Sequence, residues 1–273
     1  MSNIENITPG RNAKPATGKL AAIHSPTEVK ADAEPAIALE DLCKKYGSHW
    51  AVDEVNFVVP KGWTVGLLGG NGAGKTTTIA MIMGLVIPTA GRATVLGCDM
   101  ARDRHKVLSR MNFESPYVAL PARLTVRENL TVFGRLYGVP NVKARIEELT
   151  EDFDLGDILD RATGRLSAGQ KTRASVAKAL INDPEVLLLD EPTASLDPDR
   201  AEWVRGRLRA YQARRGATIL LSSHNMPEVE QLCDFVVIMS KGRVVAMGRP
   251  HELVARFKCE DLDGVFIYLA RVA

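Results

Sequence analysis

Residues 69–77 read Gly69-Gly70-Asn71-Gly72-Ala73-Gly74-Lys75-Thr76-Thr77. The run fits the pattern Gly, four residues, Gly-Lys-Ser/Thr, which describes a phosphate-binding loop. Its flanks fit as well. Residues 64–68 form a compact apolar run of strand length, and 75–85 carry helical patterning. A triphosphate is densely anionic and rich in acceptor oxygens. Glycines let a loop curl so that backbone N–H groups converge on such an anion, and the following helix adds its positive end. Asn71, Gly72, Ala73, Gly74 and Thr77 are therefore candidate nucleotide contacts. Lys75 supplies charge to the β- and γ-phosphates, and the Thr76 hydroxyl is a ligand for Mg²⁺. A glycine-rich turn that merely contains Gly-Lys-Thr is the alternative, and the strand and helix on either side argue against it.

Working outward, Val186-Leu187-Leu188-Leu189-Asp190-Glu191 is an apolar strand that ends in two acids. A strand covered on both faces reads as continuously apolar. Ligands of open α/β sheets lie beyond the carboxyl ends of the strands. Adjacent residues of a strand point to opposite sides, so the two acids take different tasks. Asp190 is read as part of the Mg²⁺ shell and Glu191 as the base that activates water. His224 follows the apolar run 218–221 and is read as a hydrogen-bonding partner of the γ-phosphate.

The rest of the chain gives these pieces a frame. The alternation of strand and helix in the final third predicts an α/β domain with a largely parallel sheet. Short strands at 52–59 precede it, and 103–165 reads as a helical insertion. The expected organisation is a tail over 1–36, a nucleotide-binding domain over 37–250 and a short helical extension over 251–273. Six residues in the first 36 (Pro9, Gly10, Pro15, Gly18, Pro26, Pro35) interrupt every apolar stretch. Such a segment buries too little to offset its ordering entropy, so a disordered tail is expected, with a tether as the alternative.

Among 273 residues, 45% are hydrophobic and 25% charged, with a net charge of +2, which describes an ordinary globular protein. The near-neutral balance argues against a dedicated nucleic-acid binder, and no nucleic-acid partner is expected. No apolar run approaches the roughly 20 residues of a spanning helix, and the first residues lack the apolar core of a signal peptide. Cys43, Cys98, Cys233 and Cys259 form no Cys-x-x-Cys pair, which suits a reducing compartment.

Taken together, the residues resemble the ATP-binding cassette (ABC) ATPases, the nucleotide-binding subunits of ABC transporters. Beside the phosphate loop stand Leu166-Ser167-Ala168-Gly169-Gln170, similar to the family signature, and Ser195-Leu196-Asp197, similar to its D-loop. Asp190-Glu191 and His224 fit the family's acids and switch histidine. Tyr46 fits the aromatic that stacks on adenine. The resemblance implies a P-loop NTPase (RecA-like) core with a small antiparallel β subdomain and an inserted helical subdomain. It implies ATP and Mg²⁺ as cofactors and hydrolysis that uses Lys75, Glu191 and His224. Two subunits, as a homodimer or with a paired ABC ATPase, close around two ATP. Ser167, Gly169, Gln170 and Asp197 then serve the ATP bound to the partner. The implied place is the cytoplasmic face of the membrane, held there by an integral membrane permease.

One feature departs from the family pattern. No glutamine occurs between Ile79 and Ala168, where the family's Q-loop supplies one to Mg²⁺ and water. Within Met111-Asn112-Phe113-Glu114-Ser115-Pro116-Tyr117, Glu114 or Ser115 is the candidate substitute, and Pro116 in the glutamine's place would supply no oxygen. Slow hydrolysis is expected. Residues 124–130, Leu-Thr-Val-Arg-Glu-Asn-Leu, resemble the ABC-2 type exporter branch. An importer subunit and a permease-free ATPase switch are the alternatives.

Overall fold

The computed structural model describes residues 34–115, 119–193 and 196–272. The expectation of a tail over 1–36 falls mainly on residues outside this range. At its end the boundary shifts slightly, because β1 (Pro35–Tyr46) already begins at Pro35. β2 (His49–Pro60) pairs antiparallel with β1 through several register shifts. β3 (Thr64–Gly69) is buried at every position and leads into α1 (Lys75–Ile82). β4 (Ala90–Val95) and β5 (Cys98–Asp99) complete a four-stranded antiparallel sheet in the order β2-β1-β4-β5.

β6 (Met111–Glu114) returns to the main sheet. α2 (Val126–Leu136) and α3 (Val142–Asp152) form the inserted helical layer. Thr125 and Glu128 form a capping box on α2, and Asn141 caps α3, so both helices start where their polar side chains satisfy free backbone N–H groups. α4 (Ala168–Ala179) leads back to β7 (Val186–Asp190). α5 (Pro198–Arg215), β8 (Thr218–Ser222), α6 (Met226–Leu232), β9 (Phe235–Ser240) and β10 (Arg243–Gly248) follow. α7 (Pro250–Phe257) and α8 (Leu262–Val272) end the described chain and pack Leu253, Leu262, Val265 and Leu269 into the main core.

The main sheet has the order β10-β9-β3-β8-β7-β6, parallel throughout except for the β9–β10 hairpin. Its two faces bury two apolar clusters, and the strand period of two assigns the side chains. Leu187 and Leu189 face the helices α2 to α6, whereas Val186 and Leu188 face α1 and the antiparallel sheet.

The boundaries of the helical insertion need correction. Residues 103–165 are not all outside the sheet, because β6 within them is its edge strand, parallel to β7. Two polar residues hid that strand. Asn112 is buried, yet its amide nitrogen donates to Asn182 Oδ1 at 2.7 Å and its Oδ1 accepts from the Tyr137 hydroxyl at 3.1 Å. Paired in this way, a polar side chain can sit inside a sheet without a large desolvation cost.

An ionic seam ties the helical layer to α5. Arg215 reaches Glu148 at 2.6 Å, Arg207 reaches Asp154 at 3.2 Å, and Arg214 pairs with Asp152. Phe153 meets Trp203 edge to face at 5.9 Å beneath it. Three arginines of α5 thus have partners across the layer.

Candidate nucleotide-binding site

β3, β8 and β7 lie side by side and run parallel, so their carboxyl ends open on one edge of the sheet. The phosphate loop follows β3, Asp190 and Glu191 end β7, and His224 follows β8. The topology therefore gathers residues that the sequence holds far apart.

The loop is held from below by the β9–β10 turn. Gly242 N donates to Ala73 O at 3.0 Å, and Asp53 N donates to Gly242 O at 2.8 Å. Gly74 caps α1 with φ +102°. A Cβ there would lie 2.5 Å from Ala51 O, a backbone atom. No larger residue fits without moving the loop. Gly74→Ala is therefore expected to weaken ATP binding about tenfold or more, the equivalent of 1–3 kcal/mol of backbone strain. Titration with a fluorescent ATP analogue checks this, and an unchanged affinity would contradict the cradle.

The Lys75 ammonium donates to Gly69 O at 2.5 Å and to Gly70 O at 3.3 Å. Burial lowers its pKa, and the charges of Glu191 and Asp190 act the other way. Both carboxylates thus lie within electrostatic reach of the lysine. Asn71, Gly72 and Thr76 are exposed at the loop surface, Thr77 is half-buried, and Ala73 packs beneath.

Asp190 accepts a hydrogen bond from the Ser222 hydroxyl. Glu191 N donates to Ser222 O at 2.9 Å, and Glu191 has φ +57°. This left-handed turn ends the strand and separates the two carboxylates. His224 Nδ1 lies against Glu191 Oε2, with the imidazole 71% exposed. Lys75, Asp190, Glu191 and His224 therefore form one cluster. Ser222 belongs to it too, although sequence reasoning passed over it as one more residue of an apolar strand.

The donor set suits MgATP. Backbone N–H groups, a helix N-terminus and an ammonium match a polyphosphate. No group of three His, Cys, Asp or Glu side chains able to hold a metal occurs among the described residues. One hydroxyl (Thr76) and one carboxylate (Asp190) suit an ion such as Mg²⁺, which takes its other ligands from phosphate and water. Tyr46 stands at the end of β1 with 51% exposure, and Lys44 Nζ lies 5.2 Å from its ring centroid. One face of the ring is thus met by the Lys44 ammonium.

Ser167, Gly169 and Gln170 lie together at the start of α4. Ser167 Oγ accepts from Gln170 N at 3.3 Å, and Gln170 Oε1 accepts from Ser167 N at 3.0 Å, forming a capping box. Asp197 caps α5 through Arg200 N at 3.0 Å and pairs with Arg200 Nε at 3.0 Å. A Cβ on Gly169 would sit 2.7 Å from Arg200 Nε, so the glycine admits this arginine. Arg200 links the signature to the D-loop, a contact no local pattern announced. Ser195 of the D-loop lies outside the described residues.

The Q-loop alternatives need revision. Glu114 is buried, and its two oxygens accept from Ser175 Oγ and, at 2.7 Å, from Lys178 Nζ. A carboxylate engaged in that way is not offered to a metal beside Thr76. Burial raises its pKa, while Lys178 and Ser175 lower it. Ser115 is buried at the edge of a cavity of about 280 Å³ lined chiefly by α4, α5 and the segments around Leu120 and Thr163. Pro116 and Tyr117 lie outside the described residues. Phe113 and Leu120 are half-buried and pack on the two cores, so they do not make an exposed patch.

Comparison with known proteins agrees with this arrangement. Residues 52–194 match the family model described as "ABC transporter". The chain is 41% identical over 222 residues to "Nod factor export ATP-binding protein I" of Ralstonia nicotianae, covering 81% of this chain and 69% of that protein. It is 41% identical over 255 residues to the protein of the same name from Rhizobium meliloti, covering 88% and 76%. A solved "ATP binding subunit of ABC transporter" superposes with a TM-score of 0.78 at 30% identity, covering 86% of this chain and 99% of that one. The cbiO1 protein of Clostridium perfringens, described as part of the ABC transporter complex cbiONQ, superposes with a TM-score of 0.73 at 27% identity, covering 82% and 92%. The loop, the strand-end acids and these matches converge on one conclusion: the chain belongs to the ABC transporter family, as an ATP-binding subunit.

Proposed function

We propose that this chain hydrolyses ATP to drive export through a separate integral membrane permease, on the cytoplasmic face of the membrane. The observation that carries the reading is the gathering of Lys75, Asp190, Glu191 and His224 at adjacent parallel strand ends. Lys75 and the loop N–H groups bind the phosphates. Thr76 and Asp190 hold Mg²⁺. Glu191 takes a proton from the attacking water, and His224 orients the γ-phosphate. Tyr46 stacks on the adenine.

Ser167, Gly169, Gln170 and Asp197 sit on α4 and α5 rather than on the loop that holds ATP. That separation supports a pairing in which they complete the site of a second subunit, either a copy of this chain or another ABC ATPase. An ATP-dependent pairing converts binding and hydrolysis into closing and opening, through differential affinity for the two states.

No helix among the described residues is long and apolar enough to cross a membrane, so transport by this chain requires a partner that does. Relatives named for export, and the 124–130 run, support the exporter direction over the importer one. The segment 103–140 is the surface we assign to the permease. Glu114 does not replace the missing glutamine, which supports slow turnover.

Co-expression tests this reading. The chain is expected in the membrane fraction only when a multi-span membrane partner is also made, and the detergent-solubilised complex should hydrolyse ATP. Recovery of an active ATPase solely in the soluble fraction, with the membrane protein present, would favour a permease-free switch.

A further inference from the structure

We propose that Glu228 is a positioning residue for ATP hydrolysis, holding the loop that carries Glu191 against the loop that carries His224. This rests on the roles of Glu191 and His224 given above. Glu228 lies on α6 and is 1% exposed. Thr193 Oγ1 donates to its Oε1 at 2.6 Å, and Ser223 Oγ donates to its Oε2 at 2.7 Å. Thr193 follows Glu191 with only Pro192 between, and Ser223 directly precedes His224. One carboxylate therefore spans the two segments that present the base and the histidine.

The anchoring is directional at each end. Ser223 Oγ also accepts from Asn225 N at 3.0 Å, which leaves its proton aimed at Glu228. Asn225 Oδ1 in turn accepts from Glu228 N at 3.3 Å and fixes the start of α6. On the opposite side the same two loops are joined by Glu191 N to Ser222 O. Glu191 adopts φ +57°, a sparsely populated conformation for a glutamate, and such a residue keeps its place only when its surroundings over-determine it.

The chemistry argues for placement rather than for stability. Among the described residues no cation pairs with Glu228. Its charge is met by two neutral hydroxyls, and charge-assisted hydrogen bonds of this kind offset a desolvation cost without clearly exceeding it. An apolar side chain of similar size would fill the same space but leave the two buried hydroxyls without their acceptor, a loss that lowers stability and is read separately from kcat. What it would not do is bind both loops at fixed length.

The test uses the full chain and steady-state ATPase. Glu228→Leu keeps the volume and removes both acceptors. It is expected to lower kcat about tenfold or more while KM for ATP stays within about twofold, the pattern of an interaction that matters only in the transition state. Thr193→Val and Ser223→Ala each remove one tether and are expected to lower kcat less. The Thr193→Val/Ser223→Ala double variant should match Glu228→Leu rather than the product of the single effects, because both act through one carboxylate. Thr193→Ser, which keeps the hydroxyl, should retain the activity that Thr193→Val loses. The proposal is overturned if Glu228→Leu melts earlier but keeps its kcat, or, where that variant does not fold, if the Thr193→Val/Ser223→Ala chain turns over like the parent. Failure of the underlying reading has a different signature, since Glu191→Gln would then hydrolyse ATP as the parent does.

Discussion

Glu191→Gln is expected to lower steady-state ATP hydrolysis by about 10²- to 10⁴-fold, the range for loss of a general base. The carboxamide keeps the shape of the side chain and its ability to meet His224, but it cannot take a proton from water. The phosphate loop is built from Gly69 to Thr77 and leans on Ala51 and Gly242, not on Glu191, so it is unaffected. KM for ATP should therefore change little while kcat collapses. The lysine beside it also feels the change, since Glu191 is one of the two charges that raise the Lys75 pKa against burial. Asp190 still acts against the effect of burial on Lys75. Phosphate release at saturating MgATP measures the effect, and superimposable traces for the two chains would remove Glu191 from the role of base.

Breaking the Glu114–Lys178 pair has the largest expected effect on stability. The side chains are 9% and 6% exposed and meet at 2.7 Å, joining β6 to α4. Lys178 also donates to Phe113 O at 3.1 Å and lies 5.5 Å from the Phe133 ring centroid. Lys178→Met leaves a buried carboxylate without its cation, at a cost of about 3–5 kcal/mol. The melting temperature should drop on the order of 10 °C. The double variant Glu114→Leu/Lys178→Met should recover most of that loss, because well-packed apolar residues replace a buried pair at little or no cost. The pH dependence has a definite sign. Burial holds the Glu114 pKa above its unfolded value, so the folded chain binds the proton more tightly. Its contribution to stability therefore declines as pH rises from the ordinary carboxylate range through the raised value. In Lys178→Met that decline should be steeper, since the cation that opposed the shift is gone. Thermal melts across that range check both statements, and equal slopes for parent and variant would contradict them.

Local chemistry was the legible part of this protein. Gly74, Lys75 and Thr76 announce a phosphate loop because no other arrangement of those residues between a strand and a helix is as common. Asp190 and Glu191 stand out because acids interrupt an otherwise apolar strand. The pieces that escaped are those whose meaning depends on a distant partner. Glu114 read as a stand-in metal ligand until Lys178 appeared beside it. Asn112 concealed the strand β6, since its polarity makes sense only against Asn182 and Tyr137. Nothing in the sequence around Arg200 marks it, and its approach to Gly169 comes from the packing of α5 on α4. Glu228 carries no signal in the sequence because its partners, Thr193 and Ser223, lie on two loops that meet only in the folded sheet. Pairings of this kind are set by topology, which a linear pattern does not contain.

In the proposed mechanism, ATP held by Lys75 and its loop joins two ATPase subunits through the Ser167 and Gly169 face. Light scattering of the purified Glu191→Gln chain, with and without saturating MgATP, tests it most directly. The account predicts one chain's mass without nucleotide and twice that mass with MgATP, reverting when Ser167 is changed to Arg. A Glu191→Gln chain that binds MgATP yet stays at the mass of a single chain would contradict it.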